Sequence, residues 1–137
     1  MTDYTLISRF RNKEQCELLI EKLSQKGKTC YNFCSLPADP NNADAHPEEQ
    51  MKALESVQDF YNDAYFKKVF EEDLEGLKNA EKVILLLPAG TSAHMEAGIA
   101  FGLGKSLILI GEPEKPETLY LVFEERYKNM DEFLATV

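Results

Sequence analysis

The sequence has 137 residues, of which 44% are hydrophobic and 28% are charged, and this is the composition of one globular domain rather than of a disordered chain. We therefore treat residues 1–137 as a single domain. With 24 acidic residues against 15 basic ones, the net charge of −9 argues against a nucleic-acid polymer or an anionic membrane as partner, but it is compatible with a local pocket for one phosphate.

The first third of the chain has the pattern of a β-α-β unit. Residues 4–10 predict a strand, and residues 13–26 place apolar side chains at helical spacing, with Gly27 as the helix stop. Residues 28–35 return to strand character, and the short connections favour a parallel pair with a right-handed crossover. The segment 36–47 contains three prolines and predicts a loop, either a functional lid or an irregular surface loop.

Residues 47–80 have helical periodicity. They predict either one long helix or two helices with a break near Asn62 and Asp63. The segment carries more aromatic side chains than one face of a sheet needs. This surplus is explained by core packing, by the wall of a pocket or by a dimer interface.

The last part of the chain predicts the centre of a parallel sheet. Residues 82–88 and 106–111 are nearly continuous apolar runs, which is typical of strands buried on both faces, and residues 93–104 between them predict a helix. We expect a fifth strand at residues 119–123 and a terminal helix or tail at residues 130–137. The alternation predicts a three-layer α/β/α fold of the Rossmann or flavodoxin type, with about five mostly parallel strands.

The chain shows no sign of export or membrane insertion. Its apolar runs are much shorter than the ~20 residues of a membrane-spanning helix, and its first residues have neither the basic nor the apolar region of a signal peptide. Three cysteines are an odd and small number for a secreted disulfide scaffold, and we therefore expect a protein of the reducing cytoplasm. Cys30 and Cys34 share one face of an extended segment, which favours buried thiols over a metal or redox pair.

Polar groups follow the first buried strand. In an open parallel sheet, ligands bind beyond the carboxyl ends of the strands, near the point where the strand order reverses. Gly90, Thr91 and Ser92 would place backbone N–H groups and two hydroxyls there, at the start of a helix, which suits an anion. A simple helix cap by Thr91 or Ser92 explains the hydroxyls as well. The spacing is neither that of a P-loop nor that of a dinucleotide-binding loop.

Glu96 is the main candidate for catalysis. It falls in or just beyond the first turn of the same helix, among small residues that leave space beside it. We expect the helix dipole to keep it ionised, as a nucleophile toward an acetal-like carbon requires. The alternative is a glutamate that only complements the dipole. A second carboxylate, to protonate or orient the leaving group, would come from the acidic run at residues 71–75. His94 is a candidate acid or anion contact, and the alternative is a plain surface histidine.

About forty residues carry a succession of motifs that ends in a second apolar strand. The elements are Asp73-Leu74, Ala80-Glu81, the apolar run 83–87, Gly90-Thr91-Ser92, Glu96-Ala97-Gly98, Ala100, Gly104-Lys105 and the apolar run 107–110. This succession resembles the nucleoside 2-deoxyribosyltransferase superfamily, which includes the 2′-deoxynucleoside 5′-monophosphate N-glycosidases. The β-α-β opening and the overall length agree with the same superfamily.

The resemblance implies a mechanism and a set of site residues. Glu96 would attack the anomeric carbon of a deoxyribose and displace the base, and the bound sugar would pass to another base or to water. Asp73 would position or protonate the leaving base or contact the sugar, and Thr91 and Ser92 would contact the sugar or the 5′-phosphate. The resemblance also implies a nucleoside or nucleotide as substrate, no metal or organic cofactor, and a homodimer or larger assembly with sites close to the subunit contacts.

The opening loop departs from the superfamily, whose first strand commonly ends in a glycine-containing loop. The corresponding residues 6–11 contain no glycine, although Ser8, Arg9 and Arg11 are polar enough to bind a phosphate or a ribose. The departure motivates a second hypothesis, a non-catalytic sensor of a nucleotide or an ADP-ribose-like ligand. A third is an NAD glycohydrolase of the Toll/interleukin-receptor-like class, which also places a glutamate near a glycosidic bond on a flavodoxin-like sheet.

Overall fold

A computed structural model describes all residues 1–137. Five strands form the sheet: β1 (Thr2–Ile7), β2 (Cys30–Asn32), β3 (Ala80–Leu86), β4 (Ser106–Ile110) and β5 (Glu125–Tyr127). Five α-helices connect or follow them: α1 (Lys13–Gln25), α2 (Pro47–Glu55), α3 (Ala64–Lys78), α4 (Thr91–Gly102) and α5 (Met130–Leu134). None of the helices is both long enough and apolar enough to cross a membrane.

The strands lie in the order β2-β1-β3-β4-β5 and are all parallel. The longest strand, β3, is central, with Ile84 opposite Leu6 of β1 and Ile108 of β4. This is the flavodoxin-type strand order, in which the reversal lies between β1 and β3. The predicted three-layer α/β/α fold is therefore confirmed.

Helices cover both faces of the sheet, because the central strands are apolar on both sides. On one face, α1 and α5 pack on alternate strand residues; Leu19, Leu23 and Phe133 are almost fully buried there. On the other face, α3 and α4 pack on the intervening residues, through Leu77 and a row of alanines on α4. The alanines bring α4 close to the sheet, as its small-residue composition predicts.

The predicted β-α-β opening is present, but its strands are shorter than expected. β1 ends at Ile7, and a short 3₁₀ turn precedes α1; β2 covers three residues before a second 3₁₀ turn. The helix α1 stops as predicted, with Gly27 at a φ of 76°, a conformation that favours glycine. Cys34 is buried and Cys30 half-buried, both as free thiols, and burial raises the pKa of each.

The long helical segment is two helices, which was one of the two expectations. α2 ends at Glu55, and a short 3₁₀ turn separates it from α3. The carboxylate of Asp63 caps α3 by accepting a hydrogen bond from the backbone N–H of Phe66 at 2.9 Å. The aspartate near the predicted break is thus the residue that starts the second helix.

The fifth strand was predicted at the wrong residues. The segment Thr118–Val122 is a 3₁₀ helix, and the strand that pairs with β4 is Glu125–Tyr127. The alternation of apolar residues misleads here because Leu119 and Leu121 are 72% and 78% exposed instead of facing the core. Phe123 is buried in the core, and Tyr120 and Val122 pack against it half-buried.

A close contact joins β2 to α3. A Cβ added at Gly76 would lie 2.6 Å from Cδ1 of the Tyr31 ring, so the ring occupies the space that a side chain would need. We expect Gly76→Ala to lower the free energy of unfolding by about 1 to 3 kcal/mol, since a ring is not easily displaced. Thermal and urea unfolding measure this. Gly98→Ala on α4 is the matched control: a Cβ there meets nothing within 4 Å, and we expect it to stabilise by about 0.5 to 1 kcal/mol. Equal effects of the two substitutions would contradict this account.

Candidate active site

A cavity with a mostly apolar wall lies between α3 and α4, with α2 at its rim. The cavity has a volume of about 300 Å³, at the lower end of the range for small-molecule sites. Its wall includes Leu54 of α2, Tyr65, Phe66 and Phe70 of α3, and Met95 and Ile99 of α4. Three polar residues also line it, namely Asp73, Ser92 and Glu96. The structure therefore brings together both predicted catalytic carboxyl groups and one of the predicted hydroxyls.

Asp73 lies on α3 and is half-buried. The hydroxyl of Tyr31, on β2, donates a hydrogen bond to its Oδ1 at 3.2 Å. Burial raises the pKa of Asp73 to about 6, and the negative charge of Glu72 acts in the same direction, while the hydrogen bond from Tyr31 opposes them. Asp73 is therefore mostly ionised at neutral pH but close to its titration range.

Glu96 lies on α4, and its Oε2 atom is buried without a hydrogen-bond partner. Burial, together with the negative charge of Asp73, raises the pKa of Glu96 to about 8. The expectation that the helix dipole keeps this group ionised is wrong. Since α4 begins at Thr91, Glu96 lies beyond the first turn, where the dipole has little effect, and desolvation dominates.

The residues of the opening loop are placed elsewhere. Ser8 is 3% exposed, and its hydroxyl donates a hydrogen bond to the carbonyl oxygen of Leu86 at 2.7 Å. The carbonyl oxygen of Pro88 is a second, longer acceptor for the same hydroxyl, at 3.2 Å. The side-chain amide of Asn12 in turn donates to the Ser8 oxygen at 3.2 Å. Ser8 therefore links the carboxyl ends of β1 and β3 and does not line the cavity.

Arg11 is also held away from the cavity. Its guanidinium pairs with two glutamates of α2, Glu48 at 2.5 Å and Glu55 at 2.7 Å. These hydrogen bonds raise the pKa of Arg11 above its usual value, so the guanidinium stays charged. The residue predicted to bind a phosphate or a ribose instead attaches α2 to the segment after β1.

The remaining predicted residues line a separate, open groove. Gly90 precedes α4 without any side-chain cap, so the interpretation of Thr91 or Ser92 as a cap is wrong. The ring of His94 contacts the carbonyl oxygen of Gly90 at 2.7 Å and the hydroxyl of Tyr120 at 2.9 Å. Gly90, Thr91 and His94 line an open groove at the start of α4, and only Ser92 of this stretch lines the cavity.

Two solved structures are similar to this chain over nearly its whole length. A 2-deoxyribosyltransferase from the psychrotolerant bacterium Bacillus psychrosaccharolyticus matches with a TM-score of 0.63 and 18% identity, over 96% of this chain and 89% of that one. The CMP N-glycosidase BcmB of Clostridium botulinum matches with a TM-score of 0.51 and 21% identity, over 97% of this chain and 96% of that one. The chain therefore shares its fold with these two enzymes. No protein-family model and no curated protein matches the sequence.

Two features of this site were not assigned from the sequence. The aromatic residues Tyr65, Phe66 and Phe70 belong to the surplus for which a pocket wall was one interpretation, and the structure supports that interpretation for these three. Tyr31 was not singled out at all. Its partner Asp73 is 42 residues away in the sequence, so only the packing of α3 beside β2 reveals the pair.

Proposed function

We propose that the protein cleaves or transfers at the N-glycosidic bond of a nucleoside or nucleotide, with Glu96 as nucleophile and Asp73 as its partner. The side chain of Glu96 carries the proposal, because its Oε2 atom is buried without a partner in the protein and the residue lines a cavity that also contains a second carboxyl group. An unpaired buried oxygen is costly to keep unless a ligand contacts it. The shared fold with a 2-deoxyribosyltransferase and a CMP N-glycosidase supports the same chemistry.

The reaction has two displacements. In the first, a carboxylate oxygen of Glu96 bonds to the anomeric carbon while the bond from that carbon to the base nitrogen breaks, and the base leaves with the electron pair and takes up a proton. In the second, a nitrogen of another base, or water, attacks the same carbon, loses a proton and releases the Glu96 carboxylate. Two inversions retain the configuration. Asp73 delivers the first proton and accepts the second.

The wall of the cavity suits the leaving base. Phe66 and Phe70 present ring surfaces on which a heterocycle can stack. The hydroxyl of Tyr65 donates to the carbonyl oxygen of Pro37 and so is not free to read the edge of a base. Ser92 is the polar group left for a sugar hydroxyl.

Release of free base tests the function directly. The protein is incubated with a panel of deoxynucleosides and their 5′-monophosphates, and free base is followed by chromatography. A second base added in excess separates transfer, which yields a new nucleoside, from hydrolysis, which yields free sugar. If no member of the panel releases free base, the proposal is overturned.

The two carboxyl groups predict a bell-shaped dependence of kcat/KM on pH. The pair binds one proton between the pKa of Asp73, about 6, and that of Glu96, about 8. Glu96 holds this proton in most molecules, and the reactive form is the minor one in which the proton lies on Asp73, the acid, and Glu96 is the ionised nucleophile. We therefore expect limbs near these two values. In Asp73→Asn the alkaline limb should disappear, because the acid is lost. The remaining limb should follow the ionisation of Glu96, at a pKa below about 8, since the charge of Asp73 contributes to the raised pKa of Glu96. A profile that is flat between pH 5 and pH 9 would contradict this assignment.

A cytoplasmic homodimer belongs to the same proposal. Phe70, Met95 and Ile99 line the cavity and yet are 61%, 65% and 39% exposed, so an apolar surface surrounds its mouth. A second copy of the chain would cover this surface and close the site to water. Light scattering measures the mass in solution, and a strict monomer at micromolar concentration would count against the dimer.

A further inference from the structure

The charged side chains that line the cavity are all acidic. Asp73 and Glu96 are its only ionisable members apart from Tyr65, and no lysine, arginine or histidine is among the lining residues. The neighbouring Glu72 adds to the negative potential, since it raises the pKa of Asp73. A bound group with two negative charges would therefore be repelled here without a cation to balance it.

The two arginines of the opening loop do not line the cavity. Arg11 is paired with Glu48 and Glu55 of α2 and does not line the cavity. Arg9 lines a second groove, beside the 3₁₀ helix after β4, together with three glutamates, Glu112, Glu114 and Glu117. Neither arginine is among the residues that line the cavity with the two carboxyl groups.

The opening loop also offers no hydroxyl for a phosphate. The Ser8 hydroxyl is used by main-chain carbonyls, and Gly90 and Thr91 face the groove rather than the cavity. Only Ser92 is left as a neutral donor beside Glu96. One hydroxyl suits a sugar hydroxyl and is too little to hold a buried phosphate dianion.

We propose that the site selects an uncharged nucleoside and rejects the corresponding 5′-monophosphate. The inference rests on the proposed function, because Glu96 must reach the anomeric carbon for the sugar to be placed against the two carboxyl groups. The 5′-phosphate of a nucleotide is only a few bonds from that carbon, so it enters the same acidic surroundings. Sugar hydroxyls, by contrast, donate hydrogen bonds to carboxylates.

Binding decides the inference separately from turnover. Calorimetry measures the Kd of the unaltered protein for thymidine, deoxyadenosine and deoxycytidine, and for the 5′-monophosphate of each, at pH 7 and low salt. We expect each nucleoside to bind about 100-fold more tightly than its monophosphate, from like-charge repulsion at an effective dielectric constant of about 20. The ratio of kcat/KM for the same pairs should show the same preference.

A cation added at the mouth tests the electrostatic reason. Met95→Lys should shrink the difference between nucleoside and monophosphate at least about tenfold, and Met95→Gln, of similar length but neutral, should leave it in place. Equal or tighter binding of the monophosphates by the unaltered protein overturns the inference, and so does an unchanged difference in Met95→Lys. Preferential nucleoside binding without base release upholds the inference and overturns the proposed function, and binding of neither class overturns both.

Discussion

We expect the replacement of Glu96 by alanine to lower the rate of base release from a deoxynucleoside by at least about 1000-fold. In the proposed mechanism the substitution removes the group that forms the covalent bond to the sugar, and loss of a nucleophile is among the largest single effects on catalysis. The rate is measured by chromatography of the free base under saturating substrate. Mass spectrometry of the intact protein, quenched during turnover, should detect a sugar adduct on the unaltered protein and none on Glu96→Ala.

Two controls separate this effect from a general loss of structure. Glu21→Ala changes the same residue type on the exposed side of α1 and should keep full activity. The far-ultraviolet circular dichroism of Glu96→Ala should match that of the unaltered protein. Base release that survives the loss of Glu96 within tenfold would remove this residue from the mechanism.

Stability should fall as the pH rises, and Glu96 should be a main cause. Its pKa is raised from the ordinary value of 4.5 to about 8 in the folded protein. Between those two values the folded state binds more protons than the unfolded state, so the free energy of unfolding decreases with increasing pH. Relative to Glu96→Gln, which does not titrate, we expect the unaltered protein to lose about 3 kcal/mol between pH 5 and pH 8.

Urea unfolding at a series of pH values measures this difference. The loss of unfolding free energy caused by Glu96 is absent below its ordinary pKa of 4.5, grows through the neutral range and levels off above a pH of about 8. Relative to Asp73→Asn, the unaltered protein should also lose stability as the pH rises. This loss should be smaller than the one measured against Glu96→Gln, because the pKa of Asp73 is raised only from 3.8 to about 6. Parallel stability curves for the unaltered protein and Glu96→Gln would show that Glu96 is not desolvated in solution.

The centre of the fold could be predicted because its residues leave no other choice. A run such as residues 82–88, apolar on both alternating faces, fits only a strand covered on both sides, and β3 and β4 lie where these runs occur. The small residues of α4 likewise predict a helix close to the sheet. In these elements local composition and tertiary environment agree.

The edges of the sheet could not be predicted with the same accuracy. A short edge strand is defined by pairing on one side and not by its own composition. The alternating segment around Leu119 and Leu121 has strand-like composition but turns these side chains to solvent, while Glu125–Tyr127, with two charged residues, pairs with β4. The position of β5 depends on where the chain returns to the sheet.

The pattern of residues 71–112 points to Asp73 and Glu96, and the structure places both on one cavity, while their catalytic roles stay predictions. The sequence could not reveal which polar side chains already form hydrogen bonds or ion pairs within the protein. Ser8 and Arg11 have suitable chemistry for a ligand, but a carbonyl 78 residues away binds the first and two glutamates of α2 bind the second. Such competition is a property of the folded chain alone.

The two short edge strands restrict how copies of this chain can associate. β2 and β5 each offer only three residues, so joining two sheets edge to edge would gain few main-chain hydrogen bonds across the junction. A continuous intermolecular sheet, the usual route to fibrils, is thereby disfavoured at both ends. Any assembly that this protein forms must rely on side chains of its helical layers, where shape and composition can discriminate between partners.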